Sequence, residues 1–336
     1  MNQAPQDFVR VPAAQLLALA AACLKAAGMR SDHADQLAHL LTNGDLRGVR
    51  SHGTRQLHGY CPMLREKQVN PNPELSVLQE TDTAVLVSGD GGLGYAPMML
   101  ATEKAVEKAQ QKGVAVGASC HHGHYGSAGH YVRRAMAAGC IAFSVQGHTL
   151  QFGEPHPDPA QRPPAAYWGN PPLCFGMPTE EEPPFILDMA TCLFDQRGPE
   201  IDDLQELIPA TFFKSIGFTG VSQALGGVFV GQQEEAAAAV AQKWPSAGGG
   251  GMVVVLDMGL FAGAAGVRQG VDTMARGVRQ TMAPVRGYDE ANLPGAPEFR
   301  KEQEYSRDGV ILGLEDAEKL RQTAAEFAVE VPQALG

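Results

Sequence analysis

The chain has 336 residues, of which 44% are hydrophobic and 19% charged, and its formal net charge is −11. That length supports one large core or several lobes. The acidity argues against nucleic acid or an anionic membrane as the main partner, and the sequence contains no apolar run near the roughly 20 residues that span a bilayer.

Taken in chain order, residues 12–28 begin at Pro12, are rich in Ala and Leu and end at Gly28, which predicts a helix. Within it, Leu16–Cys23 faintly resembles a lipoprotein cleavage box. The ten residues before it hold one Arg and one Asp, a poor signal region, so a core helix is expected. Ser31 is placed to cap a second helix that runs to about Asn43 and stops at Gly44. Ala84–Val87 reads as a strand, Met98–Lys112 as a helix and Val114–Ala118 as a strand. A helix near 127–138 and a strand at Ile141–Val145 follow. Residues 152–172 form a Pro-rich connection. Phe185–Asp188 and Met252–Leu256 read as strands and Glu315–Val329 as a helix. Alternating elements indicate an α/β or α+β protein. The expected organisation is an N-terminal helical region (1–75), an α/β domain (76–290) and a C-terminal loop and helix (291–336). Cys23, Cys61, Cys120, Cys140, Cys174 and Cys192 form no CxxC pair, which suits reduced thiols in a cytoplasmic protein.

Three stretches carry candidate chemistry. Asp45–Gly53 packs Arg47, Arg50, Ser51 and His52 into a short run. An imidazole titrates near neutrality and suits proton transfer, a neighbouring serine can orient it, and the arginines can hold an anion. The alternative is an ordinary polar loop. Gly89–Gly94 matches GxGxxG between a strand and a helix. The next strand, however, ends in Ser119-Cys120-His121-His122 with no acid to hold a ribose, so a plain glycine turn is preferred to a dinucleotide fingerprint. His121–His130 holds four histidines. It contains neither HExxH nor HxxEH, so contact with a phosphate or cofactor is favoured over a metal site, and no metal is assigned.

Together these pieces resemble the type-2 malate/L-lactate dehydrogenase family, which also holds ureidoglycolate and sulfolactate dehydrogenases and cyclic-imine reductases. The resemblance runs through Asp45-Leu46-Arg47-Gly48, Ser51-His52-Gly53, Tyr60, Gly89–Gly94, His124–Gly129, Asn170-Pro171, Leu187–Thr191 and Leu293-Pro294-Gly295, in that order. It implies a non-Rossmann fold with an N-terminal helical region and a central mixed, largely antiparallel sheet. It also implies a homodimer, a small-molecule substrate and NAD or NADP as cofactor. On this resemblance His52 is the proton donor or acceptor, with Ser51 and Asp188 as its partners. His124, Tyr125, Gly126, Ser127, Ala128, Lys214 and Gly295 are expected at the cofactor.

The chain departs from the family pattern on the substrate side. Gln56 stands where the family carries the arginine that grips a carboxylate, Arg55 lies one residue earlier, and Gly169 replaces a threonine. Substrate contacts are therefore expected from Arg47, Arg55, Gln56 and Gly169. The expected activity is interconversion of a 2-hydroxy and a 2-oxo acid. A cyclic-imine reductase and a catalytically impaired, cofactor-binding relative are the alternatives.

Overall fold

A computed structural model describes residues 5–162, 169–192 and 199–336. The elements in order are β1 (Phe8–Val11), α1 (Ala13–Ala26), α2 (Ser31–Leu46), α3 (Leu57–Arg65), β2 (Ser76–Glu80), β3 (Ala84–Ser88), α4 (Tyr95–Lys112), β4 (Val114–His122), α5 (Gly129–Ala137), β5 (Cys140–His148), β6 (Pro172–Met177) and β7 (Phe185–Ala190). The second half adds α6 (Pro199–Leu207), α7 (Pro209–Gln223), α8 (Glu235–Lys243), β8 (Gly249–Asp257), α9 (Gly263–Thr281), α10 (Ala296–Asp308), β9 (Val310–Gly313) and α11 (Leu314–Glu326). Seven strands form the central sheet in the order β2-β3-β4-β8-β5-β6-β7. Only β3 and β4 pair in parallel, joined by α4; the other five pairings are antiparallel. The expectation of a mixed, largely antiparallel sheet holds.

The N-terminal helices pack with the C-terminal ones. Leu16, Leu19, Ala20, Cys23 and Leu24 of α1 are buried at helical spacing, so the apolar run at 16–23 is the inner face of a core helix. They join Leu37 and Leu41 of α2 with Leu312 and Leu320 from the C-terminal segment in one cluster. Each fully buried leucine contributes about 1.5–3 kcal/mol relative to exposure. Pairing of β1 with β9 closes the two chain ends on each other. Among the described residues, no helix is long and apolar enough to cross a membrane. None of the six cysteines is in a disulfide.

Two expectations about α2 are corrected. Its first helical residue is Ser31, so the cap position belongs to Arg30 and no side chain caps the helix. Gly44 does not end it either; the helix runs on to Leu46. A side chain at Gly44 would stand 2.6 Å from the His52 carbonyl oxygen. The glycine is there to let the following loop lie against the helix, and its place is set by that close approach rather than by helix termination. In the same way β4 extends past Ala118 to His122, so two of the clustered histidines belong to a strand and not to a loop.

The glycine run at 89–94 connects β3 to α4, and protein fills the space around it. A side chain at Gly91 would strike Trp244, and one at Gly92 would meet Pro73 at 2.6 Å. The run is a packing turn, in line with its preferred reading.

Candidate functional site

The Ser-His run is a pair of short helical turns, Arg50–His52 and Thr54–Gln56, between α2 and α3. Asp45 at the end of α2 holds it in place. Its Oδ2 accepts hydrogen bonds from the Thr54 amide at 2.9 Å and the Thr54 hydroxyl at 2.6 Å. Burial pushes the Asp45 carboxyl up to about 7, against the lowering effect of those two bonds. The arginines of the run face other parts of the fold. Arg47 makes a two-point contact with Glu302 of α10, with bonds of 2.9 and 3.2 Å. Arg50 reaches Asp316 of α11 at 2.6 Å, and Arg55 lies 3.4 Å from the same carboxylate. The Gln56 amide donates to the Ser51 carbonyl. These contacts pin the loop to the C-terminal helices and leave Ser51 and His52 facing outward.

Ser51 Oγ lies 3.0 Å from His52 Nδ1. That contact orients the ring and leaves Nε2 for a substrate atom. The His52 ring stacks on that of His124, with centroids 5.7 Å apart. His124 Nδ1 is in turn 2.5 Å from the Tyr60 hydroxyl, which also bonds Tyr95 at 3.0 Å. Tyr60, which the sequence offered only as a spacing, thus anchors the second imidazole.

The facing wall comes from α5 and β7. The Ser127 hydroxyl donates to Asp188 Oδ2 at 2.5 Å, and the Gly129 amide donates to the same oxygen at 3.2 Å. The carboxylate therefore sits at the amino end of α5, where exposed N–H groups and the helix dipole favour negative charge.

Both walls line a cavity of about 930 Å³, in the upper part of the usual range for small-molecule sites. Ser51, His52, His124, Ser127, Asp188 and Gly295 all face it. Several expected contacts stand elsewhere. Arg47, Arg55 and Gln56 are absent from the cavity wall, held by the partners named above. Gly169 is not on the wall, but its neighbour Asn170 is. Tyr125 and Ala128 are wholly buried behind it, and Gly126 turns the chain there with φ +80°. Lys214 is exposed on α7, away from the wall. Residues 163–168 of the Pro-rich connection, and 193–198 of the stretch between Thr191 and Lys214, lie outside the described residues.

Two lining residues carry no signature in the sequence. Gln146 lies near the end of β5 at 1% exposure, and neither its Oε1 nor its Nε2 has a hydrogen-bond partner among the described residues. Arg133 lies one turn into α5. Neither belongs to a recognisable motif; the only signal at Arg133 is a position four residues beyond Gly129, the glycine that closes the histidine block.

Electrostatics separate the histidines. Burial lowers the His52 pKa, while the negative charge of Asp188 opposes that shift. Burial takes His124 down to about 3, helped by the nearby imidazoles. His122 lies in the core, bonded to Ser119 and to the Gly123 carbonyl, and burial takes it to about 4. His130 is buried on α5 and depressed by burial and by Arg47 and Arg133. The clustered histidines thus separate, His121 and His122 on β4, His124 at the cavity and His130 on α5, and no group of three potential ligands gathers among the described residues.

Comparison with known proteins gives a consistent result. A family model described as malate/L-lactate dehydrogenase matches residues 11–201. The malate dehydrogenase of Pyrococcus horikoshii is 30% identical over 189 residues, covering 55% of this chain and 50% of that protein. The match thus spans about half the length of that relative. A ureidoglycolate dehydrogenase (NAD(+)) of Escherichia coli K12 is 24% identical over 315 residues, 85% of this chain and 87% of the relative. Among solved structures, malate dehydrogenase from Pyrococcus horikoshii OT3 superposes with a TM-score of 0.80 at 22% identity. That superposition covers 98% of this chain and 99% of that one, a likeness of fold.

Proposed function

Because the chain belongs to the malate/L-lactate dehydrogenase family, we propose that it is an oxidoreductase. In this reading it moves a hydride between NAD or NADP and the C2 carbon of a small 2-hydroxy or 2-oxo acid. The observation that carries the proposal is the convergence of the oriented Ser51–His52 pair and the helix-held Asp188 on one cavity. Reduction at C2 builds negative charge on oxygen, and a positioned imidazolium supplies the proton that quenches it. Oxidation of the hydroxy acid runs the same transfer backward, with neutral His52 as base. Ser51 fixes the ring through Nδ1, and the Asp188 charge favours the protonated state. Because burial lowers the His52 pKa, reduction slows as pH rises through a value under the usual imidazole range.

The cofactor supplies the hydride. The cavity suits it, because the two unpartnered amide atoms of Gln146 match the donor and acceptor of a nicotinamide carboxamide. His124, Ser127 and Gly295 are the other expected contacts that reach the cavity. A homodimer is part of the same reading, supported by large apolar side chains left in solvent: Leu207 at 76%, Phe213 at 76%, Phe229 at 70% and Phe261 at 93% exposure. A cytoplasmic site is supported by cysteines outside any disulfide, of which burial pushes Cys23 up to about 11 and Cys120 to about 12.

The test is a matrix of NADH and NADPH against 2-oxo acids and cyclic imino acids, followed by nicotinamide absorbance. Turnover of a 2-oxo acid that falls about 10²–10⁴-fold in His52→Ala is the expected result. Turnover close to the parent's in that variant removes His52 from the chemistry. Turnover of imino acids alone selects imine reduction.

A further inference from the structure

Gln56 cannot supply the carboxylate grip that a substrate acid needs, and the three arginines of the signature loop are each engaged with a carboxylate on α10 or α11. A different cation must do that work if the proposed function holds. Arg133 is the one Arg or Lys side chain among the described residues that line the cavity. It is half-buried and forms no ion pair within 4.0 Å of a described carboxylate. Its guanidinium runs across Gly129 at the start of α5, beside Asp188. A side chain at Gly129 would meet Arg133 Nη1 at 2.6 Å and would also strike the Asp188 carboxylate.

We propose that Arg133 is the carboxylate anchor of the site and that the substrate class is a monocarboxylic acid. A guanidinium offers a planar fork that matches a carboxylate through two parallel hydrogen bonds. Burial on the wall screens it less than an arginine in open solvent. With the substrate carboxylate on Arg133, beside Asp188, C2 and its oxygen extend across the cavity toward Ser51 and His52 on the facing wall. The charges that remain on the wall are acidic. Asp188, Glu290 and Glu298 line the same cavity, and Glu290 is paired with Arg300. His148, whose pKa burial lowers, adds no fixed positive charge. A second carboxylate on the substrate would meet repulsion and, among the described residues, no second fixed cation. This assignment rests on the proposed dehydrogenase reading, and the binding measurement below separates the two.

The experiment measures binding of two unreactive analogues to the protein saturated with NADH or NADPH, by calorimetry. Oxamate carries one carboxylate and tartronate carries two. The parent protein is expected to bind oxamate at least about 10-fold more tightly than tartronate. Arg133→Gln is expected to weaken oxamate about 10–100-fold, the usual cost of a lost charge-assisted pair. Arg133→Lys is expected to recover part of that loss, because the charge remains while the fork is gone. The dinucleotide dissociation constant of each variant reports whether the fold survives. Oxamate binding unchanged in Arg133→Gln, no oxamate binding by the parent, or preference for tartronate overturns the assignment. Arg133-dependent oxamate binding without turnover of any 2-oxo acid upholds the anchor and sinks the dehydrogenase reading instead.

Discussion

The signature loop and the wall that faces it both carry cationic side chains, and they use them differently. On the loop, Arg47, Arg50 and Arg55 are turned toward Glu302 and Asp316. On the opposite wall Arg133 has no such partner among the described residues, beside a carboxylate that a hydroxyl and a helix amide already hold. The loop arginines set where His52 stands. The helix arginine is available to a ligand. Proximity in sequence to a candidate catalytic residue therefore separates poorly between binding and bracing, because the fold decides which carboxylate each guanidinium finds first.

The largest expected effect lies at the reacting end of this arrangement. His52→Ala should lower turnover about 10²–10⁴-fold with little change in urea midpoint, since the imidazole is only half-buried and its loop is pinned by others. A large loss of stability would place His52 with the bracing residues. Next comes Arg50→Ala. It strips the closest cation from Asp316, whose side chain is 2% exposed. The expected cost is about 2–3 kcal/mol, below the full penalty of a broken buried pair because Arg50 itself is 29% exposed. Arg55→Ala touches the same carboxylate at longer range and from a more exposed position, and should cost under about 1 kcal/mol. Equal losses in the two variants would show that Asp316 does not discriminate between them.

Arg47→Ala sharpens the contrast further. The sequence places Arg47 at the substrate, and the structure binds it to Glu302. The expected outcome is a loss of about 1–2 kcal/mol in stability and an unaltered KM for the acid. A KM rise without destabilisation would restore it to the substrate.

A separate prediction concerns pH. Asp45 keeps its proton to about pH 7 in the folded protein, against about 3.9 in an unfolded chain. Its contribution is full below the unfolded value and is lost as pH rises through 7. His124 and His122, taken to about 3 and 4, act in the reverse sense. The folded state binds fewer protons, so their contribution is complete above about pH 6.5 and is lost as pH falls toward those values. Asn at position 45 does not titrate. The urea midpoint of Asp45→Asn relative to the parent should therefore climb between about pH 4 and pH 7 and level off above. A difference that ignores pH would show that Asp45 is ionised throughout.

Much of this molecule is legible in its chain alone. The Ala- and Leu-rich stretch at 12–28, the helical spacing at Leu37–Leu41, and the strand-like runs at Val85–Val87 and Val253–Val255 are local signals, and each forms the expected element. Ser51, His52, His124, Ser127 and Asp188 stand in recognisable sequence blocks, and the fold brings all five to one cavity. Gly44 is legible only as a helix stop, because the carbonyl it accommodates belongs to His52, eight residues on.

What the sequence determined by itself was part of the element set, the family and the candidate Ser51–His52 pair, since these depend on periodicity, residue chemistry and ordered blocks. The tertiary structure alone decided which charges are available. Glu302 and Asp316 lie more than 250 residues from the arginines they engage, and no local pattern encodes that pairing. Arg133 and Gln146 become notable only through the partners they lack. A missing partner is a property of the packed molecule, because only folding removes the water that would otherwise satisfy every polar group.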